Sequence, residues 1–310
     1  MPIDLLSVMH VNVNCSDIGR SLPFYRDLVG LEPRAHTRPE EPQPGEGFDM
    51  SGEVLWDAYM MGDHRPMGPV IDLLEWKQPG PEGRPAPSPH HLGFYRICIL
   101  VPDVDAVYDR LVAAGVRCVS PPREVIVNPE QGLRVRLFLA PDPDGTMLEF
   151  VEHPGNPMQL VHVNVNCSDL ARSLEWYQRV LGLEQVGTSA PGPSPGEVFG
   201  LPDEVEWDAR MLAVPRDRES MLIDLLEWKT PAPVGRPYAK GNHLGIYRMA
   251  FLVEDAHQSY EALREEGVEC PPPVWLDMGP EIPIDGLHAL FFPDPDGTCL
   301  ELIEQPKLEG

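Results

Sequence analysis

Apolar and polar positions alternate over residues 8–14, which predicts a half-buried strand. Ser16 and Asp17 follow as helix N-cap residues, and apolar side chains then recur at helical spacing until Gly30. A second strand at 97–100 leads to another predicted helix that ends at Gly115. Each helix is followed by shorter strand-like runs. The order of strand, helix and several strands predicts an α+β fold.

The chain contains an internal repeat, because three segments recur 152 residues later: 11–17 at 163–169, 71–77 at 223–229, and 141–146 at 293–298. We therefore predict two related domains, 1–154 and 155–310. Within each half, a run such as 148–152 echoes 71–75. The echo predicts four modules in all, at about 8–78, 90–153, 160–230 and 242–305.

Composition narrows the functional classes. The net charge of −25 disfavours binding to nucleic acid or to an anionic membrane surface, and no apolar run approaches the ~18 residues of a membrane span. The six cysteines form no C-x-x-C pair, and the amino terminus lacks the basic segment of a signal peptide, so we expect a cytoplasmic protein with reduced thiols. Proline and glycine concentrate in predicted surface loops at 39–47, 79–89, 191–202 and 231–237.

The repeat also sorts the histidines and carboxylates into two matched sets. Only four of the ten histidines recur at the 152-residue offset, and Asp72 and Glu149 recur as well. The sets are His10, Asp72, His91 and Glu149 in one half, and His162, Asp224, His243 and Glu301 in the other. Imidazole and carboxylate together are ligands for Fe(II), Mn(II), Ni(II) or Zn(II). If the two modules of a half pair, its set converges on one metal cleft.

Strand parity separates the candidate carboxylates. Asp72 and Glu75 point to opposite faces of one strand, and the module echo pairs Asp72 with Glu149, so Asp72 is the predicted ligand. Glu75 and its counterparts are expected to be solvated or salt-bridged. The alternative is that the matched residues were kept for packing after the duplication.

These segments resemble the vicinal oxygen chelate superfamily, which includes glyoxalases, bleomycin resistance proteins and type I extradiol dioxygenases. The resemblance rests on the segments 10–17, 20–31 and 141–149, on His91-Leu-Gly, and on their second copies. It implies paired βαβββ modules curled around a metal cleft. It also implies ligands at His10, His91 and Glu149, and at His162, His243 and Glu301, with Asp72 and Asp224 at a position that usually holds Glu or Gln.

The leading functional expectation is a metalloenzyme with up to one divalent ion per domain. It would bind a small substrate through two neighbouring oxygens, and Glu149 or Glu301 would move a proton in isomerase, epimerase or lyase chemistry. Fe(II)-dependent oxygenation is an alternative, although Leu139 and Phe291 stand where extradiol dioxygenases carry a tyrosine.

A third class is a drug- or metabolite-binding protein without turnover. Its pocket would be lined by four aromatic residues of the repeat, Trp56, Tyr95, Trp207 and Tyr247. The sequence leaves open the substrate, the metal, which half is active, and whether the chain forms a homodimer.

Overall fold

The computed structural model describes residues 2–306; residue 1 and residues 307–310, at the outer ends of the two predicted domains, lie outside the described residues. Its helices are α1 (Ile18–Pro23), continued by a π-helical segment (Phe24–Val29), α2 (Val104–Ala113), α3 (Leu170–Leu181) and α4 (Ala256–Glu265). Two 3-10 helices span Glu46–Phe48 and Gly196–Phe199. None of the helices in this part of the chain is long and apolar enough to cross a membrane.

The strands of the first half are β1 (Ser7–Asn14), β2 (Glu32–Thr37), β3 (Gln43–Pro44), β4 (Glu53–Gly62), β5 (Val70–Gln78), β6 (Gly93–Val101), β7 (Arg123–Asn128), β8 (Leu133–Pro141) and β9 (Met147–Glu152). Those of the second half are β10 (Gln159–Asn166), β11 (Glu184–Ser189), β12 (Ser194–Pro195), β13 (Glu204–Ala213), β14 (Leu222–Thr230), β15 (Gly245–Val253), β16 (Val274–Leu276), β17 (Leu287–Pro293) and β18 (Cys299–Glu304).

Each of the four helices begins at an aspartate that follows the first strand of its module. The carboxylates of Asp17, Asp103, Asp169 and Asp255 accept hydrogen bonds from backbone N–H groups of the first helical turn. The π-helical segment that continues α1 ends at Gly30, whose φ of 99° is the left-handed conformation expected of a helix-terminating glycine. The α+β class and the repeated modules are therefore confirmed.

The modules pair across the two halves. In the described chain, one nine-stranded sheet has the order β16-β17-β18-β15-β1-β5-β4-β2, and β3 pairs with β4. The other has the order β11-β13-β14-β10-β6-β9-β8-β7, and β12 pairs with β13. The first module therefore shares a sheet with the fourth, and the second with the third. The expectation that the two modules of one half would pair is wrong.

The buried core explains why the sheets stay together. One apolar cluster takes side chains from both sheets and from all four helices, including Tyr25, Leu111, Tyr177 and Leu263. A smaller aromatic cluster lies within each sheet, around Trp76 in one and Trp228 in the other. The polar groups described next lie beside these two aromatic clusters.

Candidate functional site

Two clusters of buried charged residues lie at the centres of the two sheets. The first cluster contains His10, Asp72, Arg248 and Glu301. Arg248 Nη2 lies 2.8 Å from Asp72 Oδ2, and Arg248 Nε lies 2.7 Å from Glu301 Oε2. His10 Nε2 lies 3.2 Å from the same Glu301 oxygen. All four side chains are at most 6% exposed.

The second cluster contains the repeat counterparts Arg96, Glu149, His162 and Asp224. Arg96 Nη2 lies 2.9 Å from Asp224 Oδ2, and Arg96 Nε lies 3.1 Å from Glu149 Oε2. His162 Nε2 lies 3.3 Å from that Glu149 oxygen. Each cluster therefore draws two members from each half of the chain.

Strand register brings these side chains together. In the first sheet, β1 and β15 run antiparallel, and Val11 pairs with Met249, the residues that follow His10 and Arg248. Asp72 on β5 pairs with Asn12 of the parallel strand β1, and Glu301 on β18 pairs with Ala250 of the parallel strand β15. The second sheet repeats this register around Val163 and Ile97. The four side chains thus occupy positions related by an approximate twofold axis, and the predicted equivalence of Asp72 with the last-strand glutamates has a geometric basis.

The structure does not bring His91 or His243 to either cluster. His91 precedes β6, which begins at Gly93, whereas Arg96 lies within that strand. His91 Nδ1 lies 2.9 Å from the Leu92 carbonyl oxygen, and its imidazole packs on Gly235. His243 packs in the same way on Gly83 and stacks on Tyr238 at 3.8 Å. The prediction that each half's own four residues would form one cleft is therefore wrong.

The arginines are the residues that sequence reasoning missed. A signal was present, since Arg96 and Arg248 each precede the helix N-cap aspartate of their module by seven residues, as His10 and His162 do. Counting back from the N-cap therefore aligns arginine with histidine. The His91-Leu-Gly match drew attention to a residue outside this register.

The glutamates of the two clusters are held in the ionised form by a lowered pKa. Burial alone would raise the pKa of Glu149, but the charge of Arg96 and the interaction with His162 lower it to about 2. The pKa of Glu301 is lowered for the same reasons by Arg248 and His10. By contrast, Glu75 lies on the other side of its strand, accepts a hydrogen bond from the Ile18 N–H at 2.8 Å and pairs with Lys77.

A metal ion does not fit the two clusters as they stand. Among the described residues, Cys98, Glu149 and His162 offer ligand atoms within 4.8 Å of one another, as do the exposed Asp103 and Asp105 with the half-buried Glu152. The Glu149 oxygen that faces His162 is, however, already paired with the Arg96 guanidinium. A cation bound there would have to compete with a fixed positive charge for the same oxygen.

A cavity of about 450 Å³ adjoins the second cluster. Its lining includes all four members of the cluster, Arg96, Glu149, His162 and Asp224, and the polar residues Gln131, Thr188 and Ser189. The other lining residues are mainly apolar and include Val125, Val127, Leu133, Val135, Leu137, Val151, Val161, Phe199, Trp207 and Met211. The second cluster is therefore reached from a largely apolar chamber.

Aromatic rings pack against the arginines of both clusters: one ring, Phe199 at 5.9 Å, lies over Arg96, and two rings lie over Arg248. Phe48 and Phe291 lie 4.6 Å apart between ring centroids, and the Arg248 guanidinium carbon lies 5.5 Å and 6.0 Å from the two rings. The repeat counterpart of Phe291 is Leu139, which has no ring. This substitution distinguishes the two otherwise matched clusters.

The four aromatic residues predicted for a pocket differ in their placement. Trp207 lines the cavity, and its counterpart Trp56 packs in the aromatic core of the other sheet. Tyr95 and Tyr247 are buried, at 7% and 3% exposure, and neither is among the residues that line the cavity.

Comparison with known proteins places this architecture. The model of the Glyoxalase/Bleomycin resistance protein/Dioxygenase superfamily matches residues 7–150 and again 159–302. The chain therefore belongs to this superfamily and carries two copies of its domain, as the resemblance in the sequence implied.

The relatives found include lactoylglutathione lyases. One from Arabidopsis thaliana is 22% identical over 301 residues, which cover 96% of this chain and 90% of that protein. One from Oryza sativa subsp. japonica is 26% identical over 214 residues, 68% of this chain and 65% of that protein.

Solved structures agree in fold. Glyoxalase I from Zea mays superposes with a TM-score of 0.67 at 19% identity, covering 96% of this chain and 92% of that one. A putative dioxygenase from Bacillus subtilis superposes with a TM-score of 0.61 at 15% identity, covering 98% and 87%. At these identities the likeness concerns the fold.

Proposed function

We propose that the chain is a lyase or isomerase of the glyoxalase type that acts on a small, largely apolar compound with two neighbouring oxygens. The observation that carries this proposal is the cavity beside the second cluster, where an apolar chamber meets Arg96, Glu149 and His162. The lactoylglutathione lyases among the relatives support the reaction class. Turnover is assigned to the second cluster because it lines the cavity, whereas the arginine of the first is packed under two aromatic rings.

The proposed chemistry uses the charges that the second cluster holds. Arg96 Nη1 is buried and has no hydrogen-bond partner within residues 2–306, so it is available to a substrate oxygen. A guanidinium donor at that oxygen stabilises the negative charge that develops when a proton leaves the adjacent carbon. Glu149, which contacts Arg96 Nε and His162 Nε2, is the proposed acceptor of that proton.

The substrate class follows from the cavity lining. Arg96 is the one arginine or lysine among the described lining residues, and Asp224 and Glu149 already pair with it. An apolar body with a polar end fits this distribution, because burying an additional unpaired charge is costly. We therefore expect an apolar 2-oxo or 2-hydroxy carbonyl compound to bind better than a highly charged one.

A second candidate is binding without turnover. It is favoured by the pKa of Glu149, which its neighbours hold at about 2, so that the carboxylate is a weak base. Ligand capture needs only the chamber and the Arg96 donor, whereas catalysis also needs Glu149 to accept a proton. The two candidates therefore differ in a measurable exchange reaction.

Hydrogen exchange in D2O tests the proposal. Proton NMR would follow loss of the C–H signal next to the carbonyl in phenylpyruvate and in S-lactoylglutathione, corrected for exchange without protein. We expect exchange in the presence of the wild-type chain to be faster than exchange without protein, most clearly for phenylpyruvate. In Glu149→Gln this protein-dependent rate should fall at least ten-fold. Glu152→Gln, a glutamate on the opposite face of the same strand, is the matched control.

The result also separates the two candidates. Binding of phenylpyruvate by calorimetry with exchange no faster than the background would favour the ligand-binding candidate. If phenylpyruvate neither binds nor exchanges faster than the background, both candidate functions are contradicted. Equal loss of exchange in Glu149→Gln and Glu301→Gln would contradict the assignment of turnover to the second cluster alone.

A further inference from the structure

We infer that the guanidinium groups of Arg96 and Arg248 take the place of a divalent cation in the two clusters, so that this chain holds its folded sites without a bound metal. Each arginine replaces one imidazole of a matched pair of positions and supplies the positive charge that links the two carboxylates. The inference concerns the resting protein and does not depend on the reaction proposed above.

The first line of support is positional. Arg248 is related to His10, and Arg96 to His162, by the approximate twofold axis of each sheet, because Val11 faces Met249 and Val163 faces Ile97. A histidine at the arginine positions would complete two imidazoles and two carboxylates around each centre. That donor set is typical of a divalent-metal site, and the arginine removes one ligand from it.

The second line is the geometry of the carboxylates. In the first cluster, Arg248 contacts Asp72 at 2.8 Å and Glu301 at 2.7 Å, and Asp72 Oδ2 also accepts from Asn12 Nδ2 at 3.1 Å. The two carboxylate oxygens nearest His10 Nε2, Asp72 Oδ2 and Glu301 Oε2, are thus already paired with the guanidinium. Fork-shaped guanidinium groups suit such bridging between carboxylates.

The third line is charge. Apart from His10, two carboxylates and one guanidinium give the first cluster a charge of −1, and a divalent ion would bring the buried group to +1. The ion would also lie beside a guanidinium that cannot lose its proton. The same count, again apart from the histidine, applies to Arg96, Glu149 and Asp224. In a buried, weakly screened site, repulsion between the ion and the guanidinium offsets part of the attraction of the two carboxylates in each cluster.

The experiment measures metal content directly. Purified wild-type chain, Arg96→His, Arg248→His and Arg96→Met would each be incubated with Zn(II), Ni(II), Mn(II) or anaerobic Fe(II). After gel filtration in buffer without added metal, the metal per chain would be determined by mass spectrometry, and thermal unfolding would be followed with and without metal. Arg96→Met removes the guanidinium without providing a ligand and is the matched control.

We expect less than 0.1 equivalent in the wild type, about one equivalent in Arg96→His, and no uptake in Arg96→Met. The midpoint of thermal unfolding should rise with metal only in the histidine variants. One or two equivalents in the wild type, lost in Glu149→Gln or Glu301→Gln, would overturn the inference. Equal metal content in Arg96→His and Arg96→Met would also overturn it; Arg248→His makes the same test if Arg96→His does not fold.

Discussion

His10 on the first strand lies 3.2 Å from Glu301 on the last strand, between the imidazole Nε2 and the carboxylate Oε2. This contact exists because β1 and β15 pair directly and β15 pairs with β18. Each cluster is consequently assembled from both halves of the repeat.

Separated halves should associate. Module 2 is the repeat copy of module 4, so in two molecules of a 1–154 fragment, module 1 of one copy can pair with module 2 of the other, as modules 1 and 4 do in the full chain. We expect this fragment to be a dimer by analytical ultracentrifugation. It should form a 1:1 complex with a 155–310 fragment when the two are refolded together. A folded monomer of 1–154 would contradict this pairing rule.

Removing a buried guanidinium should destabilise the chain strongly. Arg248→Met leaves Asp72 and Glu301 buried without their cation, for which we expect a loss of about 3–5 kcal/mol in the free energy of unfolding. Arg264→Met removes an exposed i,i+3 pair with Glu261 and should cost less than about 1 kcal/mol. Urea unfolding of both variants provides the comparison. Similar losses in the two would argue against a special role for the buried pair.

Gly235 should be intolerant of a side chain because of His91. A Cβ atom there would lie 2.1 Å from His91 Nε2, and the φ of Gly235 is +75°. Gly235→Ala should therefore cost more than the roughly 1–2 kcal/mol of a left-handed backbone alone.

Gly155→Ala is the matched control, since its φ is +78° and nothing lies within 4 Å of its added Cβ. Chemical denaturation would compare the two variants, and His91→Ala added to Gly235→Ala should recover part of the loss. If both glycine variants lose the same stability, contact with His91 is unimportant.

Stability should fall as pH rises from about 4 to about 6. Burial raises the pKa of Asp142 and of Asp294 from 3.8 to about 6, although backbone N–H groups and Tyr25 or Tyr177 donate to them. In that window the unfolded chain has already released protons that the folded chain retains. Each aspartate therefore lowers the free energy of unfolding by about 3 kcal/mol between the two limits.

Asp142→Asn tests this assignment because an amide oxygen can still accept the backbone hydrogen bonds. The difference in unfolding free energy between pH 4 and pH 7 should change by about 3 kcal/mol relative to the wild type. An unchanged difference would show that Asp142 does not titrate in this range.

Access to the cavity should depend on Val186, which lines it and is 43% exposed. Val186→Trp should weaken binding of the apolar anion 8-anilinonaphthalene-1-sulfonate at least five-fold by narrowing the mouth. Val234→Trp changes a residue of similar exposure, 45%, that is not among the cavity lining. Fluorescence titration would measure the affinity of both variants for the probe. Equal affinities would show that the probe binds outside the cavity.

The strands, N-caps and helix ends of each module could be predicted from the sequence alone. Alternation along β1, the N-cap Asp17 and the terminating Gly30 predict the start of each module, because these signals act over a few neighbouring residues. The constant offset likewise identified His10, Asp72, Glu149 and their counterparts, and strand parity separated Asp72 from Glu75. The division at residue 154 stays a prediction, since neither sheet is made from one half alone.

Which modules share a sheet could be learned only from the three-dimensional structure. The repeat makes β6 and β15 nearly equivalent partners for β1, so local pattern cannot choose between them. The choice depends on contacts between residues far apart in the chain. It brings Arg248 to His10 and Glu301 and leaves His91 packed on Gly235. A guanidinium at the centre of each cluster is thus a consequence of long-range strand pairing.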